Sequence, residues 1–460
     1  MVLVLTMVVL QSISFANYAL TTTTTNIIYG SAPYLTFDGG RTRVTNTEAL
    51  LRISLSDGRT FTPTTTNSRD NPIILPVDGQ SFNDIGMLVP TDTDSIALSS
   101  LIGTPYNYWG DDDGDGQGID GITATGSLKL TIVDNDNNSV NRSEVLTICK
   151  APYKLTLSNS EGTLKTRYGV PNESRFMEGN ATYYINPKAA PVICFARPDL
   201  AVWEYSSTDV WVLAKGFLPQ SFTPSSYGLN FPTTGAHNLY FDLDIGGVSQ
   251  ALSWAPVSHG GITATMTDST STSVRVTLTG PVATESQWQS ENPGQIARIS
   301  LPQVFELVGR DSSGNAVVKY GFELKQWFVN RGTKFYTNES VSSWCNKIGG
   351  YRLPKVKDLT NASCQIFGGD SGCLSATPSS PGNYVRRHIG AGFVSEWGRM
   401  FYYANANFRI RYSNGDYYTQ TYWTQDRVTG GLFFLVFFGD GDLYKSVYVY
   451  SAFSGVCVYP

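Results

Sequence analysis

The sequence predicts a mainly β chain, with antiparallel β-sandwich units followed by an α+β unit at the C-terminus. Three observations predict it. Helical periodicity is nearly absent. Alternating runs recur: 127–132 places Leu128, Leu130 and Ile132 on one face, and 273–278 does the same with Val274, Val276 and Leu278. Glycine (44 residues) and proline (22) are spread along the chain without a period, as punctuation between short strands. At 460 residues the chain has room for about three domains of ordinary size.

The elements follow in order. Residues 1–16 read as a secretory signal. An apolar run ends at Leu10, and the small-x-small pattern Ser14-Phe15-Ala16 sets cleavage after Ala16. No Lys or Arg precedes this run, and it is too short for a membrane span of about 20 residues. A Thr-rich lead-in, with Thr21 to Thr25 consecutive, opens a β-sandwich unit over 17–148, and a second β unit covers 149–310. Gly-Ile-Thr-Ala-Thr occurs at 121–125 and again at 261–265, as a duplicated sandwich or chance would leave it. The last unit, 311–460, has a helix over 339–348 closed by Gly349-Gly350, and a second over 355–361 opened by Pro354. Hairpins come next: 410–413 and 416–419 flank Asn414-Gly415, and 433–438 and 443–450 flank Asp440-Gly441. The apolar run 432–438 has the length of a buried strand.

Composition removes several function classes. Lys and Arg number 33 against 38 Asp and Glu, a net charge of −5, so there is no basic footprint for nucleic acid and no lure for anionic membranes. Three histidines leave few candidates for His-based metal sites or catalysis. The six cysteines form no C-x-x-C pair, which argues against zinc and thioredoxin chemistry. An even count in an exported chain points to disulfides, although six cysteines allow 15 connectivities.

Three constellations carry possible chemistry. Asp111, Asp113 and Asp115 with Gly116 match the first half of a calcium loop, with Asp120 as an off-register ligand. The twelfth position, where a bidentate Glu belongs, is Ile122, so the choice lies between a structural calcium ion and a solvated hairpin tip. Gly369-Asp370-Ser371-Gly372 copies a serine-protease nucleophile motif, but none of His237, His259 and His388 has the setting of its partner base. Aromatics crowd the C-terminal region, with adjacent pairs at Tyr402-Tyr403, Tyr417-Tyr418 and Tyr422-Trp423. Neighbours in a strand face opposite sides, so one of each pair is a candidate contact. The expected binding residues are Tyr417, Tyr418, Tyr422, Trp423, Asp440 and Asp442, with a core role as the competing expectation for Trp423.

Trp344-Cys345, Gly349-Gly350-Tyr351-Arg352-Leu353-Pro354, Leu359, Glu396-Trp397-Gly398, Tyr422-Trp423-Thr424 and Gly455-Val456-Cys457-Val458 together resemble bacterial C-type-lectin-like modules. Cys149-Lys150-Ala151-Pro152-Tyr153 and Ala190-Pro191-Val192-Ile193-Cys194 resemble the adhesion-domain repeat of invasin- and intimin-like enterobacterial outer-membrane proteins. The resemblance implies tandem immunoglobulin-like β-sandwich units capped by an α+β C-type-lectin-like domain. It implies an exported adhesin, at the cell surface or secreted, that binds a host-cell surface protein or glycan through its C-terminal module. No enzymatic turnover, nucleic-acid partner or direct membrane insertion is expected. It also implies the pairs Cys345–Cys457, Cys364–Cys373 and Cys149–Cys194. The Glu-Pro-Asn and Trp-Asn-Asp motifs of calcium-dependent sugar chelation are missing. The stretch ahead of the first sandwich is too short for the membrane β-barrel of such relatives, so a soluble relative or one piece of a larger adhesin is expected. A soluble carbohydrate-binding protein is the first alternative reading and a secreted hydrolase the second.

Overall fold

The computed structural model describes residues 29–114, 121–200, 207–363, 376–380, 384–408, 421–428, 430–446, 448 and 450–460. The signal segment, Asp115, Asp120, Cys364, Cys373, the 369–372 motif, Tyr417, Tyr418 and the Asn414-Gly415 hairpin lie outside these residues. The chain is mainly β, as the alternating runs predict.

Two compact units share the chain. The first takes the described residues up to Leu146 together with Lys150–Lys188; the second takes Thr147–Cys149 and Ala189–Pro460. In the first, the strands of the two larger sheets are β1 (Ile73–Ile74), β2 (Ser95–Ala97), β3 (Ile122–Thr125), β4 (Ser127–Val133), β5 (Tyr153–Asn159), β6 (Gly162–Thr166), β7 (Glu173–Phe176) and β8 (Gly179–Asn186). One sheet runs β1-β8-β5-β4-β2 and a smaller one β7-β6-β3. Leu128, Leu130 and Ile132 are buried on β4 as the alternation requires, and Leu164 and Phe176 of the smaller sheet join the same core. Gly126 lets the chain pass from β3 in one sheet to β4 in the other. Its φ is +95°, and a Cβ there would lie 2.9 Å from the Glu161 carbonyl, so only glycine fits.

The expected break between 148 and 149 is therefore displaced. β5 pairs with β4 from Leu128↔Asn159 to Val133↔Lys154, so the residues after Cys149 return to the first unit until 188. Strand partnership across a long connection outweighs local composition here.

The second unit contains β9 (Val192–Arg197), β10 (Trp211–Val212), β11 (Gly216–Phe217), β12 (Thr234–Ala236), β13 (Leu239–Gly246), β14 (Ser253–Trp254), β15 (Val257–His259), β16 (Ile262–Thr267), β17 (Ser273–Thr279), β18 (Gln303–Arg310), β19 (Ala316–Leu324) and β20 (Gln326–Asn330). It closes with β21 (Thr421–Arg427), β22 (Phe433–Phe437), β23 (Leu443–Lys445) and β24 (Val456–Tyr459). The sheet β10-β11-β9-β13-β17-β16-β15 and the sheet β14-β18-β19 share a core through Phe241, Val274, Val276, Leu278, Phe305, Leu307 and Phe322. The expected boundary at 310/311 falls inside the β18–β19 hairpin, whose turn is fixed by Asp311 accepting from Asn315 N. One core continues from Ile193 to Val458, so the C-terminal module is fused to its sandwich.

The Gly-Ile-Thr-Ala-Thr repeat sits in unlike places. In the first unit it forms β3, which pairs with β6 and hands the chain to another sheet; in the second it forms β16, which pairs with β17 in its own sheet. The topology gives no support to a duplication.

Candidate functional site

The C-terminal module is built on α1 (Asn338–Lys347), α2 (Val356–Leu359) and α3 (Phe393–Trp397). Thr337 caps α1 by accepting from Ser340 N, and Gly349 and Gly350 end it at φ +114° and +90°. The second helix is shorter than expected. Pro354 precedes it, Lys355 holds the cap position, and Thr360 is already extended. α3, around the Glu396-Trp397-Gly398 motif, is an element that periodicity did not reveal.

Two of the three expected disulfides are present: Cys345–Cys457 ties α1 to β24, and Cys149–Cys194 ties the segment before β5 to β9. Buried polar groups fix the rest. Glu396, 0% exposed, accepts from Thr233 N and Oγ1, Thr234 N and Oγ1, and Gly390 N. Burial pushes its carboxyl up from the ordinary range, and these five donors oppose that push. Arg387 donates to the carbonyls of Glu396 and Asp199 and lies 4.4 Å over the Trp211 ring, while Arg399 forms a two-point pair with Asp199. Glu396, Arg387 and Asp199 thus act as struts between the sandwich and the module.

Two expected contact residues are not contacts. Trp423 is 0% exposed. Its Nε1 donates to the Tyr336 carbonyl at 2.7 Å, and its ring meets Phe433 and Phe453 edge-on. Tyr422 is also 0% exposed and stacks on Phe438 at 3.8 Å. The alternation rule failed here because both faces of β21 are covered: Thr421, Tyr422, Trp423 and Thr424 are all buried.

Asp440 and Asp442 stand at the turn between β22 and β23. This turn is longer than the two-residue hairpin expected, since Phe437 N donates to the Asp442 carbonyl. Gly441 between them has φ +80° and sits under Val385, and its carbonyl accepts from Thr360 Oγ1 at 2.7 Å. Asp442 N donates to Asp440 Oδ1. Both carboxylates are half-buried. Burial raises both pKa values, and Asp440 adds repulsion that brings Asp442 to about 7.

Of the expected pairs Tyr402-Tyr403 has one ring exposed, Tyr402 at 47%, although on a 3₁₀ turn rather than a strand; the other presented tyrosines were missed. Tyr384 is 65% exposed, Tyr444 40%, Tyr448 72% and Tyr450 89%. Tyr384 adjoins Val385 under the Asp440–Asp442 turn, and Tyr444 meets Phe437 edge-on at 6.3 Å. The available signal was the recurrence of Tyr448 and Tyr450, polar-tipped rings that follow Lys445 and Ser446.

In the acidic loop, Asp113 Oδ2 accepts from Ser31 N at 2.6 Å, and Asp112 binds Tyr34 Oη and Arg43. With Asp115 and Asp120 outside the described residues, only Asp111 and Asp113 of the expected set are seen; among the described residues no cluster of three metal-type side chains forms. His237 accepts from Gly280 N through Nδ1, and burial lowers its pKa. Among the described residues no helix is long and apolar enough to cross a membrane.

No family model and no curated protein matches the chain. Among solved structures it aligns with invasin, a bacterial integrin-binding protein, at 12% identity and a TM-score of 0.35, covering 74% of this chain and 52% of that one. The chain thus spans about half the length of the invasin structure it matches. It aligns with the C-terminal 282-residue fragment of intimin, solved in complex with the intimin-binding domain of its translocated receptor Tir, at 11% identity and a TM-score of 0.31, covering 75% and 95% of the two chains. A third alignment is to SGBP-B of the Bacteroides ovatus mixed-linkage glucan utilization locus, bound to a heptasaccharide, at 11% identity and a TM-score of 0.15, covering 46% and 64%.

Proposed function

We propose that this chain is an exported, non-enzymatic adhesion protein that binds a host-cell surface protein or glycan through its C-terminal module. One observation supports the reading: Tyr384, Tyr444, Tyr448 and Tyr450 are exposed on a module that buries most of its other described aromatics, Phe335 and Tyr402 being the remaining exposed ones. Tyrosine offers a large rigid ring and a hydroxyl at low entropic cost, which suits both protein hot spots and sugar faces. Asp440 and Asp442 supply acceptors at the same hairpin, and they keep the role expected for them from the sequence. Asp111, Asp113, Asp115 and Asp120 are proposed to hold a structural calcium ion apart from this face.

The test is binding of the full chain to host-cell surfaces and to a glycan array, with and without a chelator. Tyr448→Ser and Tyr450→Ser should each weaken binding by about 2 kcal/mol if they are hot spots, with the melting temperature unchanged. Undiminished binding by the double variant would sink this face. Binding that survives chelation while the melting temperature falls would assign calcium to structure alone.

A further inference from the structure

Apart from that face, a cavity of about 250 Å³, its mouth included, opens where the sandwich of the second unit meets the C-terminal module. The end of β12, the end of β20, the one-turn helix Glu285–Gln289 with the residues before it, and the segment 406–408 surround it. Its walls are fixed from outside. The Trp288 carbonyl accepts from Tyr336 Oη at 2.9 Å, and the Trp288 ring lies against Gly332, where a Cβ would come within 2.7 Å. Phe408 tilts onto Phe393 and Phe438. Asn238 Nδ2 donates to the Asn405 carbonyl at 3.0 Å, which ties the turn after β12 to the module.

Two polar atoms of the lining side chains have no partner among the described residues. Asn330 is 6% exposed; its Nδ2 donates to the Asn407 carbonyl, which sets the orientation of the amide and leaves Oδ1 as a buried acceptor without a donor. Trp288 Nε1 is a buried donor without an acceptor. Buried polar groups are nearly always hydrogen-bonded, so an orphaned donor and an orphaned acceptor on one cavity call for an occupant that supplies both. The rest of the wall is largely apolar, with Pro281, Val282, Phe328, Ala406 and Phe408. No Asp, Glu, Lys or Arg lines it. Arg331, beside Asn330, is spent on Glu291, Ser340 and the Trp288 carbonyl. His237 accepts from Gly280 N through Nδ1, so its neutral ring carries its proton on Nε2, and burial favours that neutral form.

We propose that this cavity takes the acetamido group of an N-acetylhexosamine. The acetamido N–H donates to Asn330 Oδ1, its carbonyl accepts from Trp288 Nε1, and its methyl meets the apolar wall. A carboxylate, phosphate or ammonium would be buried there without a counter-charge. A backbone peptide amide continues as chain on both sides, and a primary side-chain amide carries no methyl. The choice of a sugar over other acetamides rests on the adhesion function proposed above.

Saturation-transfer NMR of the full chain tests this, with the methyl glycosides of N-acetylglucosamine and N-acetylgalactosamine and those of glucose and galactose as controls. The expected result is transfer concentrated on the acetyl methyl of at least one acetamido sugar and none to the controls. Trp288→Phe keeps a ring and removes the donor, so affinity should fall about tenfold. The melting temperature should hold, because Nε1 bonds nothing else among the described residues. Ala406→Leu, which fills the cavity, should abolish binding and serves if the first variant is unstable. Absence of transfer at millimolar sugar, or transfer unchanged in both variants, overturns the proposal and leaves the cavity to water. An acetyl-lysine peptide that binds more tightly than either sugar overturns the choice of ligand. Tyr448→Ser with Tyr450→Ser should leave the transfer intact, so failure of the tyrosine face and failure of this cavity are read separately.

Discussion

The strand β21 and the segment that follows β23 use the same side chains for opposite ends. Tyr422 and Trp423 on β21 are fully buried, whereas Tyr448 and Tyr450, a short distance further along the chain, are among the most exposed large residues of the module. The difference lies in what surrounds the backbone. β21 has α1 against it and β22 beside it, so neither face is free. β23 ends at Lys445, Ser446 makes the last bonds to Phe433, and Tyr448 and Tyr450 beyond them are exposed. A tyrosine in this module is a core residue or a contact according to the layers around it, whatever its immediate sequence.

The sharpest way to break the comparison is to remove what holds β21 in place. Replacing Cys345 and Cys457 by Ser opens a closure with a sequence separation of 112 residues, worth about 5 kcal/mol in the chain-entropy account. Urea denaturation of the variant and the oxidised chain should show that loss. A loss below about 1 kcal/mol would mean that packing alone fixes the layers around β21. Trp423→Ala comes next. It should cost about 3–5 kcal/mol of stability, because it empties a closed site beside Phe433 and Phe453 and removes the indole hydrogen bond to the Tyr336 carbonyl. A stable, folded Trp423→Ala chain would return this residue to the contact face.

A smaller effect is expected from pH. Burial and the Asp440 carboxylate raise the folded pKa of Asp442 to about 7 from the ordinary 3.8, so between these values the folded state holds a proton that the unfolded state has released. This contribution to stability is therefore greatest at low pH, falls as pH rises from about 4, and is lost by about 7. Melting followed across that window should show the decline, and Asp442→Asn should flatten it; an unchanged slope would place the Asp442 carboxyl in the ordinary range. Smallest of all, Tyr450→Ser should shift stability by no more than about 0.5 kcal/mol, as exposed substitutions do. A large loss on melting would show that Tyr450 is packed.

The sequence was most legible where the physics is local. Alternation located the buried faces of β4 and β17, and Gly349-Gly350 marked the end of α1. The likeness to lectin-like modules paired Cys345 with Cys457, and Cys149 with Cys194 followed as the remaining pair in the region that resembles the adhesion-domain repeat; both bridges are present. What depends on distant partners was not legible. The domain break moved because β5 pairs with β4, and Tyr422 and Trp423 were misassigned because alternation assumes one free face. α3 escaped notice because its five residues are too few for a helical period to emerge, and every one is buried. Asp440 and Asp442 stand at a turn, as Gly441 between them predicts, while the exposure of Tyr444, Tyr448 and Tyr450 depended on where the sheet ends.

The Cys345–Cys457 bridge also sets the path of mechanical load. A partner pulling on Tyr450 against an anchor on the N-terminal side draws first on the short stretch to Cys457, and the tension then crosses to α1 through sulfur. The chain between Cys345 and Tyr450, with α2, α3 and the β22–β23 hairpin, would be bypassed by that load, so the proposed contact face would not be unravelled by its own partner. Without the bridge the same pull would run through the module and release the 105 residues from Cys345 to Tyr450, about 350 Å of extended chain.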